Sequence, residues 1–421
     1  MLGDNMIKKI KEVCEVNPEQ IPSNTHLRHK IAYIDIESVE NGKIKGVKEF
    51  EFRHAPSRAR RIVKEGDTIF STVRPYLRAF AFIKHEHDKK ICSTGFAVLR
   101  ANENVSPAYL YQCMASNTIM KQTLPVMVGS NYPAINTSDL LEFKIYIPSL
   151  VEQQKIADIL SVVDRKIELT EQLIAKYERI KEGTMQDLLT GRKRWKDEKW
   201  VEETEFQCTE AGEIPKDWEV KTIGDIGDLY SGTTPDRKKE DIFFVNGKTP
   251  WVKTLDLNNQ YIFETEEKVT SQALKSTSLR MLPVGSVLVA MYGGFNQIGR
   301  TGILKIEATV NQAITAIVIS CGIIKPEFLQ VWLNLKVYLW RKFAASSRKD
   351  PNITKQDVLN FWVTIPSATE QEKIVGVLQS FEKKIRLKNK ELIKYKMLKE
   401  SLMQDLLTGK VRVPINELVN P

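Results

Sequence analysis

Cysteine is scarce and poorly placed for chemistry. The five in 421 residues, Cys14, Cys92, Cys113, Cys208 and Cys321, are widely spaced and include no CxxC pair, which excludes a disulfide framework or a zinc ribbon. Histidine is as rare. His26 with His29 and His85 with His87 have spacings a metal would accept, but they lie in polar segments without cysteine or acidic partners and read as solvated loop residues. No apolar run approaches the roughly 20 residues of a membrane helix, and the opening MLGDNMIKKIKE has no stretch to serve as a secretion signal. The expectation is a cytoplasmic protein with no membrane contact. Acidic residues are outnumbered, 53 against 62 Lys and Arg, and the net charge of +9 leans toward a polyanionic partner.

Catalytic signatures are also missing. A base-modifying methyltransferase needs an Asn/Asp-Pro-Pro-aromatic loop, and the nearest strings, Asn17-Pro-Glu19 and Asp350-Pro-Asn352, lack the second proline and the aromatic. Tyr292-Gly-Gly-Phe295 is too short for a methyl-donor turn. Asn246-Gly-Lys-Thr249 imitates the end of a phosphate-binding loop, but Ile242 stands where the earlier glycine is required. Asp256 with Glu266 and Lys268 has the spacing of a nuclease triplet, a pattern common in charged sequences. The reading is therefore no catalytic residues, no metal and no cofactor.

What the chain does contain is a segment written twice. Residues 147–194, from IPSLVEQQKIADIL to MQDLLTGRKR, recur without a gap at 365–412, from IPSATEQEKIVGVL to MQDLLTGKVR. In both, apolar residues alternate at steps of four and three: Ile156, Leu160, Val163 and Ile167, then Ile374, Leu378, Phe381 and Ile385. That spacing predicts a coiled-coil seam. Ser149 three residues before Glu152 predicts a capping box, and Gly191 a stop. Thr170 and Lys388, and Lys181 and Lys399, interrupt the seam at equivalent positions as register devices.

The rest falls into two half-molecules. Residues 1–146 form a strand-rich domain, with strands over 31–36, 68–73 and 80–83 and a helix over 107–120 started by Pro107. Helical residues 147–191 follow, then a charged, aperiodic connecting arm at 192–217. A second strand-rich domain at 218–364 echoes the first in order, a second helical region spans 365–409, and a tail covers 410–421. The fold class is α+β with an internal repeat: two unlike domains carried by two nearly identical helices.

This layout resembles the specificity subunit of a type I restriction-modification system. The resemblance rests on the paired IPS-xx-EQ-x-KI helices ending in MQDLLTG, the lead-in Ile214-Pro-Lys-Asp-Trp-Glu-Val220, and the stretch TPWVKTLDL at 249–257. It implies two target-recognition domains, each reading half of a bipartite double-stranded DNA site, and an antiparallel coiled coil acting as spacer. It also implies two modification (methyltransferase) subunits and restriction subunits as partners. The first domain begins IKKIKE without the Pro and Trp that introduce the second. The alternative from another class is a coiled-coil adaptor whose domains bind proteins.

Residue types suited to DNA then pick out candidate contacts. In the first domain these are Arg53, Arg58, Arg60 and Arg61, the strand-end loop with Arg74, Tyr76 and Arg78, and the turn holding Asn131. In the second they are Thr233, Thr234 and Arg237, the loop with Tyr292, Asn296, Gln297 and Arg300, and the turn with Arg348 and Lys349. Arginine pairs with guanine or phosphate, and Asn and Gln with adenine. At the helix ends Met185, Leu188, Leu189, Met403, Leu406 and Leu407 offer more apolar surface than one seam needs, which predicts docking sites for the modification subunits.

Overall fold

The computed structural model describes residues 6–293, 296–344 and 352–414. It divides into two compact units, one of Met1–Leu173 with Lys388–Pro421 and the other of Ile174–Leu387. Both long helices, Leu150–Leu189 and Ala368–Leu406, are shared between the units. Each unit thus holds one strand-rich domain, the start of one helix and the end of the other.

In the first unit, strands Lys48–Glu51, Lys30–Ile34, Ile91–Ser93 and Ala59–Ile62 make one sheet. Cys14–Val16, Phe96–Ala101, Thr68–Ser71 and Phe80–Phe82 make a second. Alternation along the second sheet separates two cores. Ile69, Phe96 and Val98 join Ile34, Val63 and Cys92. Phe70, Ala97 and Leu99 face Tyr109, Leu110, Ile156 and Leu160. The second unit repeats the scheme: Leu288 and Ala290 enter one core, while Val287 and Val289 meet Phe328, Trp332, Ile374 and Leu378.

The helix expected over 107–120 is two, Pro107–Met114 and Asn117–Thr123. Ser116 breaks the run because its hydroxyl caps the second helix, accepting from the Ile119 N–H. Residues 193–215 fold as two hairpins, Lys193–Lys196 with Lys199–Glu202 and Phe206–Thr209 with Gly212–Pro215. Asp197 and Glu198 both take left-handed backbone in the first turn, and Trp195 and Trp200 meet across the strands at 5.2 Å.

Only half of the expected capping box forms. The Glu152 N–H donates to Ser149 Oγ at 3.4 Å, but its carboxylate, on a side chain 1% exposed, accepts from Arg412 Nε and Nη2 at 2.8 and 2.7 Å. In the second unit Glu370, one repeat later, accepts from Arg194 Nε and Nη2 at 2.7 and 2.9 Å. The neighbouring glutamines act as a matched pair. Gln153 Oε1 accepts from the Ser106 N–H at 2.9 Å and Gln371 Oε1 from the Lys325 N–H at 2.8 Å, so each ties its helix start to its own domain. The repeated EQ is therefore a joint.

The helices run antiparallel within each unit. Lys399 pairs with Asp164 at 2.6 Å in the first, and Lys181 with Glu382 at 2.7 Å in the second, the same pair one repeat apart. Exposed pairs of this kind contribute little energy but select a register.

One consequence is acid sensitivity. Burial alone would raise the carboxyl pKa of Glu203, but Lys196 and the backbone N–H groups of Glu205 and Thr204 hold it at about 2, below the ordinary 4.5. A depressed folded pKa stabilises above the unfolded value and loses that contribution as pH falls. The second unit should weaken between pH 4.5 and about 2, followed as loss of the near-UV signal of Trp195 and Trp200. A melting temperature flat over that window would refute the assignment.

Candidate nucleic-acid interface

In the first unit the loop leaving Thr68–Ser71 is held rigidly. Arg74 and Arg78 are both left-handed, at φ 48° and 56°, and bracket the single turn Pro75–Leu77. Conformations of this kind are costly for residues with a Cβ and persist where surroundings impose them. Here the Arg74 N–H donates to the Pro133 carbonyl at 2.7 Å and Val73 bridges Ala134. The Arg74 guanidinium donates to the Asn131 carbonyl at 2.9 Å and lies 4.4 Å over the Tyr132 ring. Two segments distant in sequence thus form one tip, on which Tyr76 is 44% and Tyr132 71% exposed.

The remaining arginines of this unit sort by what already engages them. Arg53 pairs with Glu51 at 2.8 Å. Arg60 stacks on Phe52 and donates to the Ala59 carbonyl. Arg78 donates to Asn117 Oδ1, whose amide donates in turn to Glu400 at 2.7 Å. Arg61 turns inward beside Cys92, with Nε and Nη1 enclosed and unpartnered. Desolvation lowers its pKa. Arg58 is exposed at the lip of its sheet, where its carbonyl accepts from the Thr94 N–H at 2.8 Å. The Arg74–Asn131 tip and Arg58 flank the turn at 93–95, since Thr72 donates to Gly95 at 2.8 Å on its other side.

The second unit has the same plan around 311–314. Thr233 donates to Val310 at 3.0 Å on one side, and Met291 to Ala313 at 2.7 Å on the other. Tyr292 is 40% exposed. Gln297 lies on Gly293, where a Cβ would come within 1.9 Å of Oε1. Arg300 Nε donates to the Asn296 carbonyl at 2.9 Å. Thr233 Oγ1 meets Ser278 Oγ at 2.7 Å, and Thr234 is half-buried beside it. Arg237 is a brace rather than a free contact, 4.1 Å over Phe244 and paired with Glu267. Arg348 and Lys349 lie outside the described residues.

Sequence reasoning missed Arg280, which is exposed and lies 3.8 Å over the Tyr230 ring. Its signal was positional. Leu282 donates to Ala308 at 2.9 Å as Val63 donates to Lys90 at 3.0 Å, which sets Arg280 at the place of Arg61. The three residues of the nuclease-like string serve the fold or stay apart: Asp256 accepts from the Lys253 N–H, Glu266 pairs with Lys253, and Lys268 belongs to a strand. Among the described residues no helix is long and apolar enough to cross a membrane.

The apolar helix ends are consumed inside the fold. Leu188 and Leu189 are 3% and 0% exposed against Ile223, Ile226 and Phe361, with Met185 packed beside them. Met403, Leu406 and Leu407 are buried against Ile10, Ile156 and Leu160. The surplus read as an outward docking surface instead fills the junction between helix and domain. Outward apolar positions do recur one repeat apart: Leu169 with Leu387, and Ile180 with Leu398, all between 41% and 54% exposed.

A family model described as "Type I restriction modification DNA specificity domain" matches residues 3–179 and 215–396. The MjaIX type I restriction enzyme specificity subunit of Methanocaldococcus jannaschii is 25% identical over 415 residues, covering 97% of this chain and 93% of that protein. The HindI specificity subunit of Haemophilus influenzae is 23% identical over 447 residues, 90% and 94% of the two chains. In fold, the chain is similar to one from a structure addressing assembly and conformational transition of the type I R-M system, with a TM-score of 0.61, 24% identity and coverage of 96% and 98%. The S subunit from M. genitalium gives 0.57, 13% identity and 97% and 98%.

Proposed function

The chain belongs to the type I restriction-modification DNA specificity domain family, and on that premise we propose how its two units divide the work. It is a non-catalytic DNA-recognition subunit. The first unit reads one half-site of a bipartite duplex through Arg58 and the Arg74–Asn131 tip. The second reads the other through Thr233, Arg280, Tyr292, Asn296 and Gln297. The carrying observation is the shared turn: Thr72, leaving Thr68–Ser71, donates to Gly95 as Met291, leaving Val287–Ala290, donates to Ala313, and the loops that follow carry unlike polar residues. Loops that differ on frames that match are what two independent readings require.

Two modification subunits dock on the helices, one at the outward Leu169 and Leu398 of the first unit and one at the outward Ile180 and Leu387 of the second. The twofold occurrence of the same positions fits two copies of one partner, and restriction subunits join that assembly. The protein acts in the cytoplasm.

Methylation mapping in a host carrying the complete system tests the reading. A two-part motif is expected, and Arg74→Ala should relax one part while Gln297→Ala relaxes the other. A base contact of this kind is worth about 1–3 kcal/mol of discrimination. A contiguous motif, or both parts relaxed by one substitution, would refute the division.

A further inference from the structure

Behind the Tyr292–Arg300 loop of the second unit lies a cavity of about 150 Å³, walled by Asn259, Asn296, Arg300 and Asn334 with Ile298 and Val337. Its polar groups are set in a particular sense. Asn259 Oδ1 accepts from the Thr301 N–H at 2.9 Å, and Asn334 Oδ1 accepts from the Thr301 hydroxyl at 2.9 Å. Thr301 is 0% exposed, so both amides are locked with their oxygens turned away and their NH2 groups left for the cavity. Arg300 Nε is engaged by the Asn296 carbonyl, which leaves its two terminal nitrogens as donors. Asn259 holds its place in left-handed backbone, φ 58°. Among the described residues no carboxylate lines this space. Two amide donors and one guanidinium, with acceptors turned outward, select an oxyanion.

The first unit treats the same corner differently. Gly42 donates to the Phe80 carbonyl at 3.0 Å as Asn259 donates to Thr301 at 2.9 Å, but there the space beside Gly42 is taken by Tyr111 and Phe80, and the Arg78 guanidinium is bonded to Asn117. Among the described residues, this open donor set belongs to the second unit.

We infer that this cavity seats one phosphate group of the DNA backbone within the half-site read by the second unit, anchoring the loop that carries Tyr292 and Gln297. The inference rests on the reading of the chain as a DNA-specificity subunit. It assigns the cavity to positioning, because a phosphate contact carries no sequence information.

The test uses the chain assembled with its modification subunits. Asn334→Asp keeps an oxygen for Thr301 while placing a negative charge on the wall, and Arg300→Gln removes the guanidinium independently. Each neutralised phosphate contributes about 0.9 to the salt slope. Between 50 and 200 mM salt, wild type should therefore lose about three- to fourfold more affinity than either variant, with base preference unchanged. Replacing backbone phosphates one at a time by neutral methylphosphonates should find one position in that half-site which weakens wild type and leaves both variants unaffected. Equal salt slopes, or a changed base preference at one position, would overturn the assignment. So would a flat methylphosphonate profile in which inorganic phosphate stabilises wild type but not Asn334→Asp without DNA, because the ligand would then be free phosphate. If wild type showed no half-site preference at all, the reading of the whole chain would fail; retained preference with unaltered variants would sink only the cavity.

Discussion

Replacing Arg194 by methionine is expected to lower the stability of the second unit by about 3–5 kcal/mol, the usual effect of removing one member of a buried ionic group. The side chain is 3% exposed and touches three carboxylates: Glu370 at 2.7 Å, Asp217 at 2.7 Å and Glu203 at 2.8 Å. Glu370 and Glu203 are themselves 1% and 7% exposed, so neither can turn to water when the cation goes. Methionine fills the stem and leaves the Glu370 carboxylate enclosed without a cation, while Glu203 keeps Lys196 at 2.7 Å. For a unit of this size the melting temperature should fall by on the order of 10 °C. Hydrogen exchange should report the loss chiefly within 174–387. The deficit should shrink in acid, since a carboxyl stripped of its cation in a buried site takes up protons more readily than in the unfolded chain. A variant melting within about 1 °C of the parent would show that the cluster is dispensable.

Leu189→Ala should cost about 2–5 kcal/mol, and Leu407→Ala a comparable amount in the first unit, because both side chains are enclosed and truncation leaves a cavity. The environment supports the high end for Leu189. Just beyond it Gly191 sits so tightly that a Cβ there would meet Pro215 Cγ at 2.3 Å, leaving little room for collapse. Co-purification with modification subunits should decline only as the folded fraction declines. Leu169→Ala, at an exposed site, should shift stability by no more than about 0.5 kcal/mol. Full folding with complete loss of partner in Leu189→Ala would return the helix ends to the role of docking surface.

Much of the frame was legible in the sequence because it is written twice. The seam of Ile156, Leu160 and Val163 and the equivalent interruptions Lys181 and Lys399 follow from periodicity and repeat spacing, whereas their partners Glu382 and Asp164 do not. The purpose of Glu152 did not, because its partner Arg412 lies 260 residues away and a local rule, the capping box, accounted for the same letter. The Trp195–Trp200 hairpin hid inside a charged run too short for alternation to stand out. The candidate loops could be chosen by residue type and not by orientation. Arg237 has the chemistry of a DNA contact, yet Phe244 and Glu267 hold it to the fold; Arg280 was passed over because unequal loops shift it one residue from the helical offset.

The clasp between Glu152 and Arg412 also sets an order of events during synthesis. The second unit is one continuous stretch, 174–387, whose buried cation and carboxylates are all present once that stretch has been translated. The first unit is interrupted. Its domain and helix start emerge before the second unit, but the residues that cover Ile156 and neutralise Glu152 emerge only after it. A chain released early by a premature stop would carry a finished second unit and a first unit with a buried carboxylate uncompensated.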